Sequence, residues 1–197
     1  MQRKMPRTNR ERTEATRGAL LAAARALFVD KGYADTSTPE IVAAAGITRG
    51  ALYHHFDDKR ALFRAVLEEE AKAVADEIER AAPATRSPRK ALIAGSEAYL
   101  DAMTVAGRTR LLLVDGPAVL GAGESLALDQ AHAGRTLREG LAAALGPRLP
   151  PPLTVDALAT LLSAAFDRAA LAIDAGDDPA AIRAAMVRLI ERTVAAG

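Results

Sequence analysis

The positions of proline restrict the fold of this chain more than any other feature of its sequence. Ten prolines leave six longer stretches without proline among the 197 residues: 7–38, 40–82, 89–116, 118–146, 153–178 and 180–197. Proline inside a helix removes a backbone hydrogen bond and clashes with the preceding turn, so helices are expected between the prolines. The spacing predicts helices joined by proline-containing loops, such as 81–88 and 146–152.

Apolar residues recur at helical intervals inside these stretches. A stripe near the N-terminus is followed by Gly32, which predicts a first helix over about 11–31 with a glycine cap. Two further stripes predict helices over 154–175 and 179–195. Nowhere do four or more residues alternate strictly between polar and β-branched or aromatic types, so no strand is predicted. We expect an all-α fold of about nine helices, with a head followed by an antiparallel helical bundle.

The composition excludes several classes of protein. The chain has no cysteine, which rules out a disulfide scaffold, a Cys-ligated zinc site and a thiol nucleophile. The longest unbroken apolar run is six residues, 19–24, whereas a membrane-spanning helix needs about 18. The N-terminus leads into no apolar segment of signal-peptide type. We therefore expect a cytoplasmic protein without a membrane segment.

Positive charge is concentrated at the N-terminal end. Residues 1–60 contain 11 basic and 7 acidic side chains, whereas residues 61–197 contain 15 basic and 18 acidic ones. The first 17 residues contain six Lys or Arg side chains and only two Glu. Such an excess suits a polyanion such as nucleic acid, although a short basic run can also serve only as a solvated tail.

The first third of the chain contains signals for two short helices joined by a tight turn. Ser37 followed three residues later by Glu40 is a capping box, which begins the first helix. Gly46 can end that helix in a left-handed conformation, and Thr48 can cap a second helix over 49–56. Two helices joined in this way form a helix-turn-helix, whose second helix enters the major groove of DNA.

These residues resemble the DNA-binding signature of the TetR family of bacterial transcriptional regulators. The resemblance covers about residues 11–67 and is strongest over 41–56, which read IVAAAGITRGALYHHF. It implies an all-α homodimer with a three-helix N-terminal head that binds operator DNA. It also implies a divergent C-terminal body that holds an effector pocket and the dimer interface. We therefore expect a DNA-binding domain over 1–60 and an effector-binding and dimerisation domain over 61–197.

Eight residues of the head are candidates for contact with double-stranded DNA. Gly50 lacks a side chain near the start of the second helix, at a cost of about 1 kcal/mol relative to alanine, which suggests a close approach of DNA. Arg49 can reach a guanine edge or hold a phosphate, and Tyr53 either contacts DNA or fills the core of the head. The capping groups Ser37 and Thr48, together with Lys59, suit phosphates at a helix N-terminus. The resemblance implies that Tyr53 and His54 contact phosphate or base. The set is Ser37, Thr38, Thr48, Arg49, Gly50, Tyr53, His54 and Lys59.

Other classes of function find little support. Adjacent His54 and His55 point about 100° apart on a helix and do not converge on a metal, so no metal or other cofactor is expected. With three His and no Cys, no converging set of acid, base and nucleophile can be assembled, so an enzyme is not expected. A helical adaptor that binds only protein is possible for the body but leaves residues 48–59 unexplained. Pro39 and Ala51 stand where family members often carry polar contact residues, so fewer side chains are expected to read bases.

Glycine and proline interrupt strong helix formers in the middle of the body. Residues 111–121 are similar to a stretch near the effector pocket of one TetR subfamily, although Ala122 and Gly123 replace the bulky aromatic that usually follows. Interrupted helices leave room for a cavity, so we expect a small, largely apolar effector of unknown identity to bind between the helices spanning 88–145 and to release DNA. The candidate effector-binding residues are Met103, Arg108, Leu112, Asp115 and Val119. Other polar residues here, including Asp129 and His132, could also serve a pocket, although exposed faces or ion pairs are simpler roles for them.

The last two predicted helices are candidates for a homodimer interface. The apolar stripe of each helix is wider than is needed to pack one side of a helix at the edge of a monomer, and its side chains are smaller. A two-fold symmetric operator also needs two heads about 34–36 Å apart. The residues expected at the interface are Leu162, Phe166, Ile182, Met186 and Leu189.

Overall fold

The computed structural model describes residues 9–81, 87–147 and 149–195. Every regular element in these ranges is helical, which confirms the all-α prediction. The elements are α1 (Asn9–Asp35), α2 (Thr38–Ala45), α3 (Arg49–His55), α4 (Lys59–Ala81), α5 (Pro88–Met103), α6 (Arg108–Arg110), a π-helical turn (Leu111–Asp115), α7 (Gly116–Leu120), α8 (Ala122–Ala131), α9 (Ala133–Leu145), α10 (Val155–Asp174) and α11 (Pro179–Ala195).

The helices are more numerous than expected because the middle of the chain is divided into short segments. Gly107 (φ 77°) and Gly121 (φ 90°) adopt positive φ angles, which L side chains rarely tolerate. They bound α6, the π-helical turn and α7. No helix in the described ranges combines the length and the low polarity that crossing a lipid bilayer requires. Half of the basic side chains of the predicted N-terminal run (Arg3, Lys4 and Arg7) and most of the predicted loop 81–88 lie outside the described residues.

The chain folds as two compact units, the first ending at Leu67 and the second beginning at Glu68. The change falls inside α4, whose first turns supply the buried side chains Leu62, Phe63 and Val66. The boundary expected at residue 60 lies in the first turn of this helix.

The first unit is built around three aromatic rings. The helical path of α1 is interrupted at Gly32 (φ 84°, ψ 168°), one residue after the predicted end of the first helix. This turn brings the ring of Tyr33 within 5.8 Å of Phe28 and 4.9 Å of Phe63, while Phe28 and Phe63 lie 5.1 Å apart between centroids. The hydroxyl of Thr36 donates to the Gly32 carbonyl at 2.8 Å and fixes the chain that leads into α2.

The second unit is a helical bundle. Helix α5 packs mainly against α9 and α11, and α10 packs against the same two helices. The ring of Tyr99 on α5 meets that of Phe166 on α10 edge to face, with centroids 5.4 Å apart. Leu141 on α9 and Ile190 on α11 are fully buried in the same core.

The two C-terminal helices occupy the predicted ranges because their caps follow local rules. The hydroxyl of Thr154 accepts a hydrogen bond from the Ala157 N–H at 3.1 Å, which begins α10. The carboxylate of Asp178 accepts one from the Ala180 N–H at 2.9 Å, just before Pro179 opens α11. The helices predicted over 154–175 and 179–195 are therefore confirmed.

Candidate DNA-binding surface and ligand cavity

A capping box holds the start of α2. The backbone N–H and the hydroxyl of Ser37 donate to one carboxylate oxygen of Glu40 at 2.9 and 2.7 Å, and the Glu40 N–H donates back to the hydroxyl at 3.4 Å. Lys31 donates to the other carboxylate oxygen at 2.6 Å. The hydrogen bond from Lys31, followed by those from Ser37, lowers the pKa of Glu40 to about 2. A carboxylate therefore lies at this helix N-terminus, and the exposed Ser37 serves as its N-cap.

The turn between α2 and α3 has the predicted helix-turn-helix geometry. Gly46 ends α2 in the left-handed region (φ 65°, ψ 33°), and the Thr48 hydroxyl accepts from the Ala51 N–H at 3.2 Å. Ile41 and Leu52 are fully buried, so both helices turn their apolar sides into the head. The opposite side of α3 is left exposed.

Four of the predicted DNA-binding residues share the exposed face of α3: Arg49, Gly50, Tyr53 and His54. The Tyr53 ring is 44% exposed, so it does not fill the core of the head. The guanidinium carbon of Arg49 lies 5.5 Å from the centroid of that ring. Thr48 is exposed at the start of the helix, whereas Thr38 on α2 is partly buried. The structure thus brings most of the predicted set to one surface.

Gly50 has no internal reason to be glycine. A Cβ atom built on Gly50 would have the Thr48 hydroxyl oxygen, 4.0 Å away, as its only neighbour within 4 Å among the described residues. Glycine in a helix costs about 1 kcal/mol relative to alanine. Packing within the head does not explain this cost. A molecule that approaches the face from outside would explain it.

Burial and positive neighbours both act on His55 of α3. Burial lowers the pKa of His55, and the neighbouring His54 and Arg17 lower it further. The Arg17 guanidinium lies 5.5 Å from the Phe56 ring centroid. Arg17 thus adds positive charge next to the C-terminal end of α3.

Lys59 has a structural role that the sequence did not reveal. Its ammonium group donates to the carbonyls of Tyr33 and Thr36, both at 2.9 Å, and lies 4.2 Å from the Tyr33 ring centroid. Two of its three donors are therefore used inside the head. The side chain ties the start of α4 to the segment before α2, and its third donor is what remains for the predicted contact with DNA.

The second unit contains a cavity of about 290 Å³, close to the lower end of the 300–1,000 Å³ (approximately) typical of ligand sites. Helices α4, α5, α9 and α10 supply most of its wall. The main apolar lining residues are Ile78, Leu92, Tyr99, Leu137 and Phe166, and the main polar ones are Glu79, Ser96, Asp129, Thr136, Glu139 and Ser163. This combination is typical of sites for small organic molecules.

None of the five predicted effector-binding residues belongs to this lining. Met103 is buried in the core, and Leu112 packs against that core. Asp115 lies 3.3 Å from the Arg110 guanidinium, and Val119 is half-buried on α7. Most of the lining residues do fall within the expected range 88–145, but they lie on α5, α8 and α9 and not on the glycine-bounded segments between Gly107 and Gly121. Asp129, weighed only as a secondary possibility, does line it.

Arg108 is buried in an ion-pair network instead of facing a ligand. Its guanidinium binds Glu70 at 2.9 Å and Glu77 at 3.0 Å, both on α4, and donates to the Ala102 carbonyl at 2.7 Å. The Arg108 side chain is 7% exposed and that of Glu70 is 10% exposed. The arginine predicted to hold an effector therefore anchors α4 to the end of α5.

One partly buried carboxylate, Asp129, lines the cavity, and a second, Asp167, bonds the hydroxyl of the lining residue Tyr99. Asp167 accepts a hydrogen bond from the Tyr99 hydroxyl at 2.8 Å, and Asp129 accepts one from the Ser163 hydroxyl at 2.9 Å. Burial raises the pKa of Asp167 to about 6; the Tyr99 hydrogen bond opposes this, and the charge of Asp129 adds to it. Burial likewise raises the pKa of Asp129, and it raises that of Tyr99 well above its usual value.

These shifts predict how Asp167 affects stability. Because the folded pKa of Asp167 exceeds its unfolded value of 3.8, the folded state favours the protonated side chain. The stability that this side chain contributes is therefore fully present below pH 3.8 and is lost as the pH rises through about 6. Asp167→Asn, which keeps an acceptor for Tyr99, should make the protein more stable than the parent by about 3 kcal/mol at pH 7 and by little at pH 4. Urea unfolding at both pH values measures the difference. A pH-independent difference, or one equal to that of the exposed Asp174→Asn control, would contradict the prediction.

Ion pairs connect the segment beside the cavity to α4. His132, between α8 and α9, lies 2.8 Å from the Glu68 carboxylate through its Nε2 atom. Arg135 binds Glu79 at 2.6 Å and Glu139 at 3.1 Å. Glu68 and Glu79 are three turns apart on α4, so this segment holds α4 at two points.

The structure separates the predicted dimer residues into two groups. Leu162, Phe166 and Met186 are buried in the core of their own unit and Ile182 is partly buried, so these side chains are already used. Leu189 is 43% exposed on α11, and Leu161, absent from the predicted set, is 70% exposed on α10. A partner surface on these helices would therefore use Leu161 and Leu189 rather than the buried stripe.

Sequence families match both parts of the chain. Residues 20–66 match the family described as "Bacterial regulatory proteins, tetR family". Residues 89–196, more than half of the chain, match the family described as "Tetracyclin repressor-like, C-terminal domain".

Curated relatives match part of the chain. The chain is 37% identical to the transcriptional activator FasR of Mycolicibacterium smegmatis over 95 residues, which cover 48% of this chain and 43% of FasR. It is 43% identical to the transcriptional repressor BepR of Brucella suis over 63 residues, which cover 32% of this chain and 30% of BepR. The alignments thus span less than half of these curated relatives.

Solved structures match over almost the whole chain. A TetR-family transcriptional regulator from Pectobacterium atrosepticum has 32% identity and a TM-score of 0.69, with 94% of each chain covered. LfrR of Mycobacterium smegmatis, a TetR-like regulator solved in complex with proflavine, has 25% identity and a TM-score of 0.62, with 90% of this chain and 95% of LfrR covered. This chain therefore belongs to the TetR family of transcriptional regulators.

Proposed function

We propose that the protein is a ligand-responsive repressor that binds a two-fold symmetric operator as a homodimer and releases it when a small molecule enters the cavity. The exposed Arg49–Gly50–Tyr53–His54 face of α3 is the observation that carries the DNA-binding part of this proposal. The cavity favours a ligand-responsive regulator over a DNA-binding protein without an effector. Such a regulator works where the chromosome is, which places it in the cytoplasm.

The face of α3 suggests a division of roles. Arg49 at the N-terminal end of the helix has a planar guanidinium, which suits bidentate binding of a guanine edge in the major groove. Tyr53 and His54, one turn later, suit phosphate contacts that set the register of the helix on the duplex. Gly50 lies between them and lets the helix backbone come close to the DNA.

Gly50→Ala tests this surface because its effects on stability and on DNA binding should have opposite signs. The head has room for the methyl group, so we expect the free energy of unfolding to rise by up to about 1 kcal/mol. The same methyl group should lower operator affinity, by about 1–3 kcal/mol if it is forced into a packed contact with DNA. Urea unfolding and fluorescence anisotropy with operator DNA measure the two effects.

Gly123→Ala is the matched control. Gly123 lies in α8, and a Cβ atom there also has no neighbour within 4 Å among the described residues. We expect a similar gain in stability and unchanged operator affinity. If Gly50→Ala binds operator as tightly as the parent, this face is not the contact surface.

A route from the cavity to the head is available through α4. A ligand beside Asp129 and Thr136 would touch the segment that carries His132 and Arg135. Those two side chains hold Glu68 and Glu79 of α4, and α4 begins in the first unit. We infer that ligand binding shifts this segment and that α4 passes the change along a single helix.

Reciprocal titration tests the ligand response. A ligand that favours the DNA-free conformation by about 1–3 kcal/mol lowers operator affinity by about 5- to 150-fold. Linkage requires operator DNA to weaken that ligand by the same factor. Small molecules that raise the melting temperature should be titrated with and without operator, and a cavity ligand whose affinity does not change with DNA would contradict the proposed release.

The homodimer is proposed on the exposed side of α10 and α11. Two large apolar side chains, Leu161 and Leu189, lie there among small alanines, which allow close packing against a second copy. A two-fold site also requires two heads. A monomeric mass at micromolar concentration in analytical ultracentrifugation would contradict this part.

A further inference from the structure

We propose that the cavity in the second unit takes a small organic cation, with its charged nitrogen beside Asp129 and its apolar body against Tyr99 and Phe166. The inference rests on the proposed ligand site and adds the chemical class of the ligand. Three features of the cavity point to it: the neutral bonding partners of the partly buried Asp129, the basic side chains that already bind other acids at the cavity edge, and the two rings.

Asp129 in the lining of the cavity, and Asp167 behind the lining residue Tyr99, have only neutral donors in direct contact. Asp129 accepts from the Ser163 hydroxyl and from the Gly134 backbone N–H, and Asp167 accepts from the Tyr99 hydroxyl. In the described part of the chain, no Lys, Arg or His side chain forms an ion pair with either carboxylate. Hydrogen bonds from neutral groups leave the negative charge in place, and an uncompensated charge in an apolar site is unfavourable.

The basic side chains of the neighbouring segment are occupied by other acids. Arg135 binds Glu79 and Glu139, two lining residues whose side chains are 52% and 60% exposed and therefore belong to the solvent edge of the cavity. His132 is bound to Glu68. Arg135 is thus the counter-ion of the edge, whereas the charge of His132 acts on Asp129 only through space and no basic side chain of the described residues bonds it directly.

The aromatic residues complete a site for a cation with an apolar body. Tyr99 and Phe166 meet at 65° with centroids 5.4 Å apart, so their ring planes are steeply inclined to each other. Aromatic faces attract ammonium groups, and apolar rings pack well against hydrocarbon. An anion would be repelled by Asp129, and a neutral hydrocarbon would leave its charge uncompensated. A cation with an apolar body satisfies the Asp129 carboxylate and the apolar wall together.

Matched probes of equal shape test the charge requirement. Benzylammonium and benzyl alcohol differ mainly in charge, and 2-naphthylmethylammonium and 2-naphthalenemethanol form a larger pair for the same comparison. Isothermal titration calorimetry at pH 7.5 with the full chain should show at least one ammonium probe binding about tenfold or more tightly than its alcohol, since hydrogen bonds to charged groups are the stronger kind. Equal affinity within both pairs, or no binding by either ammonium probe at millimolar concentration, would overturn the proposal.

Variants locate the charge that is responsible. Asp129→Asn keeps the size and an acceptor for Ser163 and should abolish the preference for the ammonium probe. Asp174→Asn makes the same change of charge on the exposed end of α10 and should preserve it. A preference that survives in Asp129→Asn would overturn the assignment. If that variant does not unfold cooperatively, the probe comparison in the parent still decides whether the cavity selects a cation.

The ligand class and the proposed function can fail separately. If the ammonium probe binds through Asp129 but leaves operator affinity unchanged, the cation site stands and the ligand-responsive function falls. If a neutral ligand of the cavity releases operator while no cation binds, the function stands and the cation site falls.

Discussion

Replacement of Arg108 by methionine is expected to lower the free energy of unfolding by about 3–5 kcal/mol, the range for breaking a buried ion pair from one side. Methionine fills much of the space of the arginine stem but donates no hydrogen bond. It would leave the buried Glu70 carboxylate without its 2.9 Å partner and the Ala102 carbonyl without its 2.7 Å donor. Urea unfolding of the full chain, followed by circular dichroism, measures the loss.

Arg135→Met is the matched control for Arg108→Met. The Arg135 ion pair with Glu79 is shorter, at 2.6 Å, but its side chains are 37% and 52% exposed. Exposed pairs contribute about 0–1 kcal/mol, so the control should lose little stability. Adding Glu70→Gln to Arg108→Met should recover part of the loss, because no buried charge then remains on that side chain. Equal losses for the two single variants would contradict the structural role given to Arg108.

Arg49→Ala is expected to reduce specific DNA binding without affecting the fold. Arg49 is exposed and contacts the similarly exposed Tyr53 ring, so stability should change by less than about 0.5 kcal/mol. Loss of a bidentate base contact should cost about 1–3 kcal/mol of operator affinity and relax specificity at one position. If Arg49 instead holds a phosphate, all sequences should be bound more weakly, with a salt slope smaller by about 1. Binding to operator and random DNA at two salt concentrations distinguishes these outcomes, and unchanged binding to both would remove Arg49 from the interface.

The helix-turn-helix could be predicted from the sequence because its signals are local. Ser37 and Glu40 lie three residues apart and cap the same helix. Gly46 takes the left-handed conformation that the turn requires, and Thr48 caps the next helix. Each of these interactions forms within four residues, so spacing alone carries the information.

The cavity could not be predicted in the same way because its walls come from distant parts of the chain. Tyr99 and Asp167 are 68 residues apart, and Arg108 finds Glu70 across 38 residues. The glycine breaks near Gly107 and Gly121 were a reasonable local signal for a cavity, but packing of α5, α9 and α10 decides where this space lies. Lys59 illustrates the same limit, because its carbonyl partners lie 26 and 23 residues earlier in the chain.

The predicted dimer residues show a third limit. A helical stripe identifies apolar residues but not which neighbour they pack against. Leu162 turns into the core of its own unit, whereas the adjacent Leu161 remains 70% exposed. Adjacent residues on a helix point about 100° apart, so one residue along α10 separates a core side chain from an exposed one. Only the packed structure shows which residue has which role.

Footprinting of the full-length protein on the DNA beside its own gene tests specific DNA binding through α3 most directly. The parent should protect two symmetric half-sites. Their centres should lie one turn of DNA apart, which is about 34–36 Å, or a whole number of such turns apart. Arg49→Ala should lose this protection at protein concentrations where the parent gives it fully. Absence of protection by the folded parent at low salt, or identical footprints for the parent and Arg49→Ala, would contradict operator binding through this helix.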